Sequence, residues 1–288
     1  MHAVRRRPHR ALGAAVAAAA LLLTAAQVNA SSAAAEEEHP STQDRTAAKD
    51  LKLPPAHAGF DYQIGGAYKP PAGVGVVTRD HTAEPAAGLY NICYVNAYQT
   101  QPGAANQWDS DLLLKDADGK VIYDGEWDGE ALLDLRTAKK RERIAAKVNG
   151  WIDECAAKGF QAVEPDNFDS YERSEKLLNT TQAQEYARLL TEHAHSKGLA
   201  VGQKNASELA GAHTANGFDF AVAEQCGQWD ECESYTKEFG DHVVVIEYTK
   251  DGLAKACDGW GDQLSIVRRD LNVVPPSKAG YVRETCDG

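Results

Sequence analysis

From Phe60 onward, short runs rich in aromatic and β-branched residues alternate with longer stretches whose apolar residues recur at helical spacing. The runs predict eight strands: Asp61–Ile64, Tyr90–Asn96, Ala131–Leu135, Gln161–Glu164, Leu199–Gln203, Phe218–Ala223, His242–Tyr248 and Gln263–Arg268. Between them, Ile144, Val148, Trp151, Ile152 and Cys155 form one apolar stripe of a helix ending at Gly159. A second helix is expected from a capping box at Thr181-x-x-Gln184 to Lys197, with Tyr186, Leu189, Leu190 and His193 as its buried stripe and Gly198 as its stop. Lys115-Asp-Ala-Asp-Gly-Lys120 predicts a hairpin turn in which Asp116 and Asp118 are turn formers, because EF-hand calcium spacing is not continued. Strands separated by helices, with few tight hairpins, imply parallel pairing through crossovers. Eight of them over roughly 230 residues fit an α/β fold of the (β/α)8 TIM-type barrel, as a single domain, better than an open doubly wound sheet.

The first 57 residues read differently. Residues 1–30 carry a basic start ending at Arg10, an apolar run from Ala11 to Ala26 and a small-residue site at Val28-Asn29-Ala30, the pattern of a cleaved secretory signal. The run falls short of the ~20 apolar residues that span a bilayer, so no membrane association is expected after its removal. Residues 31–57 show almost no periodicity and are expected to be a flexible linker, leaving 58–288 as the barrel. An exported chain uses its cysteines in disulfides, so a secreted, extracellular location is expected. Among the fifteen pairings open to Cys93, Cys155, Cys226, Cys232, Cys257 and Cys286, proximity favours Cys226–Cys232 and Cys257–Cys286, leaving Cys93–Cys155.

Charge narrows the partner. Without residues 1–30 the chain has 26 Lys and Arg against 42 Asp and Glu, a net of −16. Such a surface repels phosphate polymers and favours a neutral or cationic ligand, so nucleic acid is not an expected partner. Neither G-x-G-x-x-G nor G-K-[ST] occurs, no metal-ligand set stands out, and no cofactor is expected. A G-x-S-x-G elbow is missing as well, which argues against a serine hydrolase.

Barrel active sites lie at the C-terminal ends of strands, so the residues finishing each strand form the candidate pocket. Here they are Asp61, Tyr62 and Gln63; Tyr94; Glu164, Asp166, Asn167 and Asp169; Lys204 and Asn205; Glu224; and Glu247. Glu164 and Asp166 are two apart and project to one side of an extended segment, and Glu224 ends another strand. Any single acid is more often a loop cap or a salt-bridge partner. Carboxylates converging from two strands are the equipment of glycoside hydrolysis, one protonated to assist the leaving oxygen and one acting as nucleophile or base. Tyr62, Tyr68, Tyr94, Tyr98, Trp108, Trp127, Tyr171 and Trp229 are candidates for stacking on sugar faces.

The strand-end motifs Asp61-Tyr-Gln-Ile64, Ile92-Cys-Tyr94, Leu133-Asp-Leu-Arg136, Glu164-Pro-Asp-Asn-Phe-Asp169, Gln203-Lys-Asn205 and Ala223-Glu-Gln-Cys226 resemble those of glycoside hydrolase family 114, the endo-α-1,4-polygalactosaminidase family. The resemblance implies a secreted, endo-acting enzyme that cleaves α-1,4 links in galactosamine-containing polysaccharide. It also implies Asp166 and Glu224 as the catalytic pair, which we assign as nucleophile and general acid/base, with Glu164 the other candidate nucleophile. Position at the strand ends puts Asp61, Tyr62, Gln63, Tyr94, Glu164, Asn167, Asp169, Lys204, Asn205 and Glu247 around the substrate. Two motifs depart from the family pattern: Asp61-Tyr-Gln replaces a Trp-rich first strand, and Tyr94-Val-Asn-Ala-Tyr98 replaces a stretch of small residues. The expected partner is the polysaccharide itself, a cationic amino-sugar polymer, acted on by a monomer. The alternative expectation is a non-catalytic carbohydrate-binding barrel that keeps the groove without the chemistry.

Overall fold

The computed structural model describes residues 51–286. The expected signal at 1–30 and most of the expected linker lie outside the described residues. Nine strands form one sheet in chain order: β1 Gly59–Tyr62, β2 Val74–Asp80, β3 Tyr90–Asn96, β4 Ala162–Asp166, β5 Ala200–Lys204, β6 Phe220–Glu224, β7 Val243–Glu247, β8 Ser265–Arg269 and β9 Arg283–Glu284. The first eight are parallel to their neighbours and β9 is antiparallel to β8. The sheet curls into a nearly closed TIM-type barrel. Its seam between β8 and β1 is bridged by Ala58 N–H donating to Ser265 Oγ at 2.9 Å and by Arg283 Nη2 donating to the Phe60 carbonyl at 3.1 Å.

Alternation along the strands builds two cores. Phe60, Tyr62, Val76, Tyr90, Ile92, Ala162, Ala200, Phe220, Val222, Val244, Ile246 and Val267 fill the barrel. Cys93, Val95, Val163, Val201, Ala221, Ala223, Val243 and Val245 face outward against the helices. At Gly202 a side chain would meet the Phe220 ring at 2.8 Å, so the missing Cβ is what lets that ring cross the barrel.

The helices are α1 Ala138–Lys158, α2 Thr180–Ser196, α3 His213–Asn216, α4 Cys226–Trp229, α5 Cys232–Phe239 and α6 Lys250–Trp260. In α1 the expected stripe is in place, with Ile144, Val148, Ile152 and Cys155 buried, and Gly159 closes the helix at φ +89°. The capping box of α2 sits two residues earlier than expected, at Asn179 and Gln182. Two overlapping matches occur in that stretch, and Asn is the better N-cap. Tyr186 and Leu190 lie on its buried face. His193 is only half-buried, paired with Asp153 at 2.8 Å.

Two strand expectations need correction. Ala131–Leu135 is not a barrel strand. It belongs to an insertion between β3 and α1, where Leu132 and Leu133 make antiparallel bridges to Gln99 and Leu113, and Ala131 to Tyr123. A short apolar run reads alike in either setting. The second barrel strand is instead Val74–Asp80, which no helix precedes or follows. The Lys115–Lys120 turn is formed as expected: Asp116 Oδ1 accepts from the amides of Asp118 and Lys120 at 3.0 and 2.8 Å.

The end of the expected linker is packed. Tyr90 Oη donates to the Lys52 carbonyl at 2.5 Å, His242 Nδ1 lies 3.1 Å from the Pro54 carbonyl, and Leu53 rests on the barrel's inner core. Tyr90 begins β3 and His242 precedes β7, so residues 51–57 close the floor opposite the strand ends. Disulfides join Cys93 to Cys155 (β3 to α1), Cys226 to Cys232 (across the loop after β6) and Cys257 to Cys286 (α6 to the segment after β9), the pairing that proximity favoured. Among the described residues no helix is long and apolar enough to cross a membrane.

Candidate active site

The inward-facing positions at the strand tops come together around one cation. Lys204 Nζ, at the end of β5 and 2% exposed, lies 3.1 Å from Glu164 Oε1, 3.0 Å from Asp166 Oδ1, 3.4 Å from Glu224 Oε2 and 3.2 Å from Tyr62 Oη. Register explains the meeting: Tyr94 is opposite Glu164 and Asn96 opposite Asp166 across β3 and β4, so alternate residues climb into the mouth from both strands. Burial alone would lower the Lys204 pKa, but Asp166, Glu224 and Glu164 outweigh it and hold the ammonium well above its ordinary value.

The three carboxyls differ in access. Glu164 is fully enclosed, accepts from Tyr62 Oη at 2.7 Å, and is pushed up to about 7 by burial, with Lys204 opposing the rise. Asp166 and Glu224 keep side-chain exposures of 14% and 22%, so they alone of the three can meet a ligand. Each is oriented by a tyrosine. Tyr94 Oη donates to Asp166 Oδ2 at 2.6 Å, and Tyr248 Oη donates to Glu224 Oε1. Burial, followed by nearby carboxylates, raises the Tyr62, Tyr94 and Tyr248 phenols well above their usual range, so they remain donors.

Backbone strain sets the remaining partners. Asn167, Asn205 and Gln225 all have left-handed φ, at +66°, +51° and +58°, immediately after β4, β5 and β6. The turn at Asn167 directs its N–H onto Asp166 Oδ1 at 2.8 Å. Asn205 Nδ2 donates to Glu224 Oε2 at 3.1 Å while its Oδ1 accepts from the Glu224 amide at 2.9 Å. Gln203 faces away and braces this turn, donating to the carbonyls of Asn205 and Ala206.

Of the expected site residues, Tyr62, Tyr94, Glu164, Asp166, Asn167, Lys204, Asn205 and Glu224 are brought together, and four are not. Asp61 and Gln63 lie outside the barrel core, where Asp61 faces Arg269 and Arg283 at the seam and Gln63 Oε1 accepts from Arg79 Nε at 3.0 Å. Asp169 is paired with Arg173 at 3.1 Å. Glu247 faces α4, accepting from the Gly227 amide at 2.7 Å, and burial pushes it up to about 7. For Asp61 and Glu247 the physical reason is the two-residue alternation, since the inward residue is the neighbour, Tyr62 at the end of β1 and Tyr248 just past β7, whereas Asp169 lies beyond β4 at the start of the turn 170–173. Among the aromatic candidates, Tyr98 and Trp108 are core residues, whereas Trp127 stands 40% exposed on the insertion. Sequence reasoning missed Asn96, Glu130 and Arg173. Glu130 Oε2 accepts from Asn96 Nδ2 at 2.9 Å, and burial raises the Glu130 carboxyl to about 7. Only the insertion's fold brings it there.

An exposed carboxylate pair around a fixed cation, ringed by phenols at the mouth of a barrel, suits acid and base chemistry on a sugar. No curated protein sequence matches the chain. The structure of Aspergillus fumigatus Ega3 in complex with galactosamine is similar in fold, with a TM-score of 0.66 at 22% identity, covering 84% of this chain and 99% of that one. The glycoside hydrolase domain of PelA from Pseudomonas aeruginosa gives 0.51 at 16% identity, covering 79% and 98%. The model of glycoside-hydrolase family GH114 matches residues 40–288, which include every strand and every member of the Lys204 cluster. The chain therefore belongs to family GH114, a family of glycoside hydrolases.

Proposed function

We propose that this hydrolase cuts α-1,4-galactosaminidic links within galactosamine-containing polysaccharide, as a secreted single chain, with Asp166 as nucleophile and Glu224 as general acid and base. The observation that carries the assignment is the pair itself. Asp166 and Glu224 come from β4 and β6, touch the same ammonium, and keep the exposure that Glu164 lacks. Since Lys204 Nζ is 3.0 Å from Asp166 Oδ1 and 3.4 Å from Glu224 Oε2, those oxygens lie no more than about 6.4 Å apart. Retaining enzymes hold their two carboxyls ~5–5.5 Å apart, a separation that this bound admits, and we read the reaction as double displacement. A carboxylate oxygen of Asp166 attacks the anomeric carbon as the glycosidic C–O bond breaks, and Glu224 gives its proton to the departing oxygen. In the second step Glu224 takes a proton from water as that water displaces Asp166.

Donors from Lys204, Tyr94 and the Asn167 amide hold the Asp166 carboxyl in one orientation, which a nucleophile needs. The substrate class rests on family membership, on a fold relative solved with galactosamine, and on a net −16 that attracts a polymer of protonated amines. Three disulfides suit a chain that folds in an oxidising compartment, and every residue of the cluster comes from one chain.

Purified protein should shorten α-1,4-linked galactosaminan, and Asp166→Asn or Glu224→Gln should each lower kcat by roughly a thousandfold or more while the far-ultraviolet spectrum stays native. Proton NMR of the first product should show the α anomer. Undiminished cleavage by Asp166→Asn would remove the assignment, and an initial β anomer would exclude double displacement.

A further inference from the structure

Asp166 has three donors, and one of them is set differently from the others. Lys204 and Tyr94 reach it from side chains on adjoining strands, but the third is the backbone N–H of Asn167, in the peptide that leads into a left-handed residue at φ +66°. Asn tolerates that region better than most residues yet still needs its surroundings to keep it there. The structure supplies a clamp. Asn167 Nδ2 donates to Asn96 Oδ1 at 3.0 Å, and Asn167 Oδ1 accepts from Arg173 Nη2 at 2.9 Å. Asn96 is in turn held by Glu130.

Arg173, at the end of the 3-10 turn 170–173, divides its guanidinium three ways: Nε to Asp124 Oδ2 at 2.6 Å, Nη1 to Asp169 Oδ1 at 3.1 Å and Nη2 to Asn167. Its side chain is 16% exposed, and those of its two acids are 0% and 4%. With Nε and Nη1 each on one acid, the remaining arm of the planar fork falls on the amide oxygen of Asn167, so one side chain joins both acids to the residue beside Asp166. We infer that Arg173 is a positioning residue of the reaction: tied to the insertion through Asp124 and to the strand-end loop through Asp169, it fixes Asn167 so that the Asn167 N–H stays on Asp166. Asn167 and Asp169 then act through this clamp rather than by touching sugar. The inference rests on the reading of Asp166 as nucleophile.

A double-mutant cycle tests it, using Arg173→Lys, which keeps the charge without the fork, and Asn167→Gly, which keeps the N–H and the left-handed backbone without the clamped side chain. Each single variant should lower kcat about 10- to 100-fold with KM within about threefold, as expected for a misplaced catalytic group. The double variant should be no slower than the slower single one. Wild-type kcat in Arg173→Lys, a loss carried mainly by KM, or losses that multiply in the double variant would each overturn the inference. If Arg173→Lys does not fold, as judged by circular dichroism, Asn96→Ala replaces it in the same cycle with the same outcomes, since it cuts the other bond to Asn167. Asp166→Asn, run in parallel, separates the two levels: retained turnover there defeats the nucleophile reading, whereas its loss beside a fully active Arg173→Lys defeats the clamp alone.

Discussion

Glu247 shows what a single enclosed carboxyl does to the molecule. Its pKa of about 7, raised by burial from the ordinary 4.5, means that the folded chain holds this proton more tightly than the unfolded one does. Between those values the native state binds more protons, so the stabilisation is complete below pH ~4.5 and is lost as pH rises through 7. Glu247→Gln, whose amide oxygen can still accept from Gly227, removes that slope. Its urea midpoint at pH 8 should exceed the parent's by the equivalent of about 1–3 kcal/mol, and the two should converge at pH 4. A parent midpoint that is flat or rising from pH 5 to 8, unchanged by the substitution, contradicts this. The same residue marks where sequence reading at this scale stopped. Glu164 and Asp166 were legible as an inward pair because they are two apart in a short strand. Glu247 was not separable from Tyr248, because Val243–Ile246 is apolar on both faces and gives no alternation to read. Arg173 was legible only as a local partner for Asp169 four residues before it, since its contact with Asp124 comes from an insertion about 50 residues earlier whose folding no local pattern announces.

At the scale of elements, what was legible followed length and punctuation. α1 and α2 are long, carry one apolar stripe each and end at Gly159 and just before Gly198, so both could be read. β2 could not, because Val74–Asp80 lies between two loops rather than between helices, and its place in the count was taken by Ala131–Leu135. The total of eight thus survived two compensating errors. Disulfides act on these same elements by limiting the unfolded chain, and their sequence separations of 62, 29 and 6 residues give an order. Replacing both cysteines of a pair with serine should cost about 4 kcal/mol for Cys93–Cys155, about 3.5 for Cys257–Cys286 and about 2 for Cys226–Cys232 on the chain-entropy account. Equilibrium urea unfolding of the three double variants checks it. If the Cys226–Cys232 variant is the least stable, local packing of the loop after β6 outweighs loop length and the ordering fails.

For the molecule as a whole, the relevant quantity is the field. Outside residues 1–30 the net charge is −16, and the mouth carries the same sign, with Glu164, Asp166 and Glu224 gathered around the ammonium of Lys204 and Glu130 held beside them by Asn96. A polymer bearing many protonated amines is drawn toward such a surface, and the pull is screened within about 10 Å at 0.1 M salt. Overall charge was readable from composition and the acids at the mouth from the strand ends, but the share that Glu130 adds was not, since that requires the insertion to fold back onto Asn96. The consequence is specific to the proposed substrate. Raising NaCl from about 20 mM to about 500 mM should reduce kcat/KM on deacetylated galactosaminan by about tenfold or more, mainly through association, as steering weakens with ionic strength. On the same polymer with its amines acetylated, salt should change kcat/KM by less than about twofold, because no substrate charge remains to be steered. Equal salt sensitivity on both polymers would place the effect on the enzyme's own stability or on its carboxyl pair. Insensitivity on both would mean that the acidic surface serves solubility and leaves selection of the polymer to contacts inside the cleft.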